Sequence, residues 1–148
     1  ILALGFVLRV VNLNQSLWLD EATQALLSRD SLSNIVFKHG ADFHPPLSYI
    51  LMHFWVKVST EEVWLRLFSV IFALTTIFFV YKFCLLLFNK KVAFLSSLLL
   101  SLSPYHIYYS QEVRMYSLAT FLTIASMYFL IEFFDAVSSA SCICVCEK

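Results

Sequence analysis

Pro45-Pro46-Leu47-Ser48-Tyr49-Ile50-Leu51-Met52-His53-Phe54-Trp55-Val56-Lys57-Val58 is an apolar run opened by two prolines. Proline is tolerated in a first helical turn, where its missing N–H would have had no partner anyway, so a helix starts here. The apolar part is only about 12 residues long, whereas a bilayer crossing needs about 20. His53 and Lys57 fall inside it. Length and charge together predict an interfacial or re-entrant helix, not a span. If this segment does not cross, Asp20, His44 and Glu112 lie on one outer face of the membrane. If it does cross, Glu112 lands opposite Asp20 and the two share no site.

The rest of the chain is strongly apolar. Hydrophobic residues make up 60% and charged residues 14%, with a mean hydropathy of +0.79. Soluble domains carry about 25% charged residues, so the composition indicates an integral membrane protein. Two glycines and three prolines in 148 residues leave the apolar runs mostly unbroken, and no alternating ten-residue pattern of a membrane barrel is present. The zero net charge gives no argument for a nucleic-acid partner. The fold class is therefore all-α and integral to the membrane, with about four transmembrane helices.

The spans are expected at about 1–13, 63–88, 92–108 and 115–134. The first is short and reads as the outer half of a helix. No basic region or cleavage site marks it as a signal peptide. Arg66 and Lys82 near the ends of the second can snorkel to opposite interfaces. Asn89-Lys90-Lys91 is the kind of basic turn found on the cytoplasmic side, and Pro104 falls near the end of the third. The outer loop, 14–62, holds surface helices. Ala22, Ala25, Leu26 and Arg29 share a face at helical spacing, and Ser31 or Ser33 caps a second short helix. Residues 135–148 form a short cytoplasmic tail, within which Cys142-x-Cys144-x-Cys146 lacks zinc spacing.

Ionisable groups near membrane depth are costly, which makes each one a functional candidate. Asp20-Glu21 follows Trp18. A carboxylate there can take a proton or bind a cation, or it can simply complement a helix N-terminus. His44, before Pro45-Pro46, is a hydrogen-bond donor or an interfacial loop residue. His39, Asp42 and His44 have weak metal spacing. Gln111-Glu112-Val113-Arg114 places a phosphate-matching guanidinium beside a carboxylate, or forms an ordinary surface pair. Tyr105, Tyr108, Tyr109 and Tyr116 either line a sugar cavity or anchor an interface. Arg66 either pairs with Glu62, four residues away, or steadies the outer loop.

Ser16-Leu17-Trp18-Leu19-Asp20-Glu21-Ala22, His44-Pro45-Pro46-Leu47 and Trp64-Leu65-Arg66-Leu67-Phe68-Ser69 occur in that order. They are followed by the stretch from Ser103 to Leu118, which contains Ser-Pro-Tyr-His and Gln-Glu-Val-Arg-Met-Tyr. This ordered set, over residues 3–134, resembles the dolichyl-phosphate-mannose protein mannosyltransferase family, glycosyltransferase family 39. Its relatives include the aminoarabinose transferases that modify lipid A. The resemblance implies a GT-C-type helical bundle, of which this chain is an N-terminal part. The implied activity moves a sugar from a polyprenyl-phosphate donor to an acceptor hydroxyl on a protein, lipid or glycan. Transfer would be extracytoplasmic, with inversion. It also implies Asp20 as the base with Glu21 supporting. By the same similarity Glu112 matches an acidic residue of the second outer loop. Read from the residues themselves, and not from the family, Arg114 binds the donor phosphate and His44, Gln111, Glu112 and Tyr116 are substrate-binding, with Asp20 and Glu112 as candidate ligands for an optional divalent cation and no other cofactor. The membrane would be the plasma membrane in a prokaryote and the endoplasmic reticulum in a eukaryote. Family members are several times longer and the tail departs from their pattern, so the isolated chain is expected to be a truncated or frameshifted, inactive product. A transporter or channel fragment and a non-catalytic assembly subunit are the rival readings. Transporters, however, place ionisable groups in mid-span within broken helices, whereas here they cluster at span ends.

Overall fold

The structure, a computed structural model, describes residues 1–11, 13–37 and 45–146, with side chains through Val137. His44, His39 and Asp42 lie outside the described residues. The described residues form eight helices in order: α1 Leu2–Val10, α2 Leu19–Leu27, α3 Leu32–Phe37, α4 Pro46–Val56, α5 Glu62–Leu87, α6 Lys90–Leu102, α7 Pro104–Ser110 and α8 Tyr116–Cys146. No strand occurs among the described residues. Among the described residues, two helices are long and apolar enough to cross a membrane: α5, with 26 residues, and the 22-residue stretch Tyr116–Val137 of α8. α1, with 9 residues, and α6, with 13, fall short of that length on their own.

α5 is the central post, packing most extensively on α8 and then on α6. Its contact with α8 is a ladder of rings. Phe72 and Phe79 of α5 both meet Phe121, with ring centres 5.6 and 5.5 Å apart, and Phe79 also meets Tyr128 and Phe129. α6 buries Ala93, Ser97 and Ser101, one small residue every four. Such a stripe lets helix backbones approach closely where no water is available to drive association. α1 also lies close to α5: a Cβ added at Gly5 would come within 3.2 Å of Ile77 and 3.4 Å of Leu74.

Two boundaries differ from those expected. The third apolar run does not continue to residue 108. It breaks at Ser103-Pro104, because Pro104 cannot donate to the α6 ladder, and the chain restarts as the separate helix α7 with proline in its first turn. The expected tail is not a separate element either, since α8 runs on as helix through Cys146. No proline or glycine interrupts residues 135–146, so the backbone has no reason to stop at Phe134.

The proline-led segment forms the 11-residue helix α4, which packs against α2, α3 and the N-terminal end of α5. Its apolar residues Met52 and Val56 join Ala25, Leu65, Phe68 and Val113 in one core cluster. His53 is buried and donates through Nδ1 to the Ser28 carbonyl at 2.9 Å, binding α4 to α2. A reciprocal tryptophan clasp binds α4 to α5. Trp55 Nε1 donates to the Trp64 carbonyl at 2.8 Å and Trp64 Nε1 donates to the Trp55 carbonyl at 3.1 Å. The two rings stack 4.5 Å apart at 10°. Trp55→Phe removes one of these bonds and part of the stack, and should cost about 1–2 kcal/mol. Unfolding of the detergent-solubilised protein would show this as a lower midpoint; an unmoved midpoint would mean that the clasp contributes nothing.

Candidate active site

The N-terminus of α2, the N-terminal end of α5 and the turn between α7 and α8 converge on one carboxylate. Glu21 is the third residue of α2, and its side chain turns back to accept from the Trp18 N–H at 3.0 Å, half of a capping box. The same carboxylate accepts from Arg66 Nη2 at 2.9 Å and Nε at 3.4 Å, and from the Val113 N–H at 2.8 Å. Glu21 is 2% exposed and Arg66 4%, so this ion pair is sealed from water. Arg66 also donates to the Leu13 carbonyl at 2.9 Å and the Ser16 carbonyl at 3.2 Å. Of the two readings of Arg66, the tie to the outer loop is the one formed, and the local pair with Glu62 is not. A buried guanidinium needs several acceptors at once, and the loop carbonyls with Glu21 supply them.

With Glu21 fixed inward, its neighbour Asp20 faces out. The Asp20 side chain is 74% exposed and meets Arg114 Nη2 at 3.5 Å, while the Arg114 side chain is only 12% exposed. The two residues are 94 apart in sequence and both line an open cleft of about 430 Å³. Trp18, Tyr108, Tyr109, Glu112 and Tyr116 also line it. That volume falls in the ordinary range for small-molecule sites. Tyr109 packs edge-on against both Tyr108 and Tyr116, with ring centres 5.3 and 4.9 Å away. Glu112 lies beside Tyr108, and hydrogen bonding to that carboxylate raises the phenol above its ordinary range.

Of the residues singled out from sequence, Asp20, Glu112, Arg114 and Tyr116 meet in this cleft, with Glu21 at its buried edge. Gln111 makes its contacts elsewhere: its Nε2 donates to the Val11 carbonyl at 2.8 Å and the Arg9 carbonyl at 3.2 Å, gripping the end of α1. Sequence reasoning missed Arg9, fully buried behind α7, although a lone charge in an apolar run is itself a signal. Among the described residues, no group of three or more His, Cys, Asp or Glu side chains is arranged to hold a metal ion. Asp20 and Glu112 share the cleft.

The model of the dolichyl-phosphate-mannose-protein mannosyltransferase family matches residues 43–145. The chain belongs to that family. No curated protein and no solved structure matches it. The family thus indicates a membrane glycosyltransferase, and the two long apolar helices agree with a membrane protein. The matched residues include Arg66, Glu112 and Arg114 but stop short of Asp20 and Glu21. The contacts Glu21–Arg66 and Asp20–Arg114 join that upstream pair to the matched part.

Proposed function

We propose that the cleft is the reaction site of a sugar transfer from a polyprenyl-phosphate donor to an acceptor hydroxyl, on the extracytoplasmic side and with inversion. The observation that carries this reading is the meeting of a water-exposed carboxylate, Asp20, with a largely buried guanidinium, Arg114, across a tyrosine-lined cleft. A sugar on a lipid phosphate already has a good leaving group. What remains is to hold an acceptor oxygen behind the anomeric carbon, remove its proton and stabilise charge on the departing phosphate. Asp20 takes the proton as the acceptor oxygen bonds to the anomeric carbon. The anomeric C–O bond breaks with its electron pair passing to the lipid phosphate, and Arg114 balances that charge. At 3.5 Å the Asp20–Arg114 contact is loose, so a donor phosphate can displace Asp20 from Arg114 and free the carboxylate to act as base. Glu112 and the tyrosines supply contacts to sugar hydroxyls, and His44 is assigned a substrate contact by sequence alone. In this reading α1 and α6 complete further crossings of a GT-C-type bundle, and α2–α4 lie along the outer surface.

The reading requires the two acidic segments to share a side of the membrane. In a background with Cys84, Cys142, Cys144 and Cys146 replaced, single cysteines at positions 20 and 112 should both react with an impermeant maleimide from outside sealed cells or vesicles. A cysteine at position 90 should react only after permeabilisation. Labelling of positions 20 and 112 from opposite sides would remove the proposed reaction site.

A further inference from the structure

Arg9 is fully buried in α1, and among the described residues no acidic side chain pairs with it. Its Nη1 donates to the Gly5 carbonyl at 2.9 Å and the Ser101 carbonyl at 3.2 Å; its Nη2 meets His106 Nδ1 at 2.6 Å. Its Nε has no partner. A guanidinium is always a donor, so His106 Nδ1 must accept and the ring proton must sit on Nε2. Burial, and secondarily the Arg9 charge, push the His106 pKa down to about 4, in keeping with a neutral ring. A buried cation without a counter-charge is costly to desolvate, and the hydrogen bonds it makes only partly offset that cost. Its presence therefore calls for another explanation.

The break at Pro104 supplies one. In a continuous helix the Ser101 carbonyl would accept from the N–H of residue 105; the proline-induced restart strands it, and Arg9 takes it over. In return Gln111, just past the end of α7, donates to the carbonyls of Arg9 and Val11. The two elements exchange donors, and the exchange brackets α7: Arg9 holds its start and Gln111 its end. Between those two points stand Tyr108 and Tyr109. Immediately after them come Glu112 and Arg114, all four on the wall of the cleft.

We infer that Arg9 is a positioning residue, which with Gln111 holds α7 in register with α1 and so sets the wall that carries Tyr108, Glu112 and Arg114. The functional consequence rests on the transfer reaction proposed above; the structural one does not. In the full-length protein, Arg9→Met should leave the unfolding midpoint near the parent's while kcat falls about 10- to 100-fold, as expected when a wall shifts by an ångström or so. The KM for a polyprenyl-phosphate mannose donor should change little. Arg9→Lys, which can still reach one carbonyl, should recover part of the rate. A cysteine at position 109 in the cysteine-free background should react several-fold faster with a maleimide when Arg9 is Met, while one at position 90 should be unaffected. That labelling arm needs no turnover, so it stands or falls separately from the enzymatic reading. If Arg9→Met does not accumulate, Gln111→Ala removes the reciprocal grip and carries the same expectations. Parent-like kcat and parent-like labelling at position 109, or a rate loss that merely follows the unfolded fraction, would overturn the assignment.

Discussion

Asp20→Asn is expected to lower sugar transfer by about 100- to 10,000-fold, the usual contribution of a positioned general base, with almost no effect on the fold. The two halves of this expectation have separate causes. The Asp20 side chain is 74% exposed and its one ion-pair contact is Arg114 at 3.5 Å. Exposed pairs of that kind contribute at most about 1 kcal/mol, and asparagine has the same shape. The buried anchor of α2 is the next residue, Glu21, which the substitution leaves in place. A purified Asp20→Asn protein should therefore unfold at the parent's midpoint while failing to transfer mannose from a polyprenyl-phosphate donor. Parent-like turnover would remove Asp20 as the base. A lowered midpoint with matching loss of rate would make it a structural residue.

The separation between Asp20 and Glu21 also marks how far the sequence could be read. Side by side, two carboxylates look interchangeable, and helix phase alone does not tell which one turns inward. The capping contact to Trp18 and the donors arriving from Arg66 and Val113 settle it, and two of those three come from distant segments. For the same reason the sequence leaves Arg66 between a local pair with Glu62 and a tie to the outer loop. Glu62 at four residues leaves a local signature, whereas Glu21, 45 residues away, leaves none. Elements governed by local chemistry were legible. The proline-led start and short length of α4 follow from Pro45-Pro46 and from where the apolar run ends, and Ser31 accepts from the Asn34 N–H at 3.4 Å at the start of α3, as its capping chemistry predicts. Pro104 announced a break that an apolar count over 92–108 passed over. The grouping of Asp20, Glu112, Arg114 and Tyr116 followed from one inference about a short helix, because which end of the bundle a polar segment occupies depends only on how many segments cross.

Breaking the Glu21–Arg66 pair should have the largest effect on stability. Removing one partner of a buried ion pair strands the other charge, at a cost of about 3–5 kcal/mol. Glu21→Ala would leave the Arg66 guanidinium without its carboxylate and also orphan the N–H groups of Trp18 and Val113. Arg66→Met would leave Glu21 charged and buried, and strip the Leu13 and Ser16 carbonyls of their donor. Each single variant should unfold at a much lower midpoint or fail to accumulate. In Glu21→Gln/Arg66→Met no charge is left without a partner, the amide oxygen can still accept from Val113, and methionine fills much of the guanidinium's volume, so stability should return in part. A double-mutant cycle should then show a coupling of more than about 1 kcal/mol, whereas additivity within about 0.5 kcal/mol would mean that the pair is not coupled. Activity should not return with stability. The pair holds the 13–16 loop and the 111–115 turn to α2, and without its full set of bonds Asp20 and Arg114 lose the relative position that the proposed transfer requires. A double variant that regained both stability and turnover would show that the two walls of the cleft are held by something other than this pair.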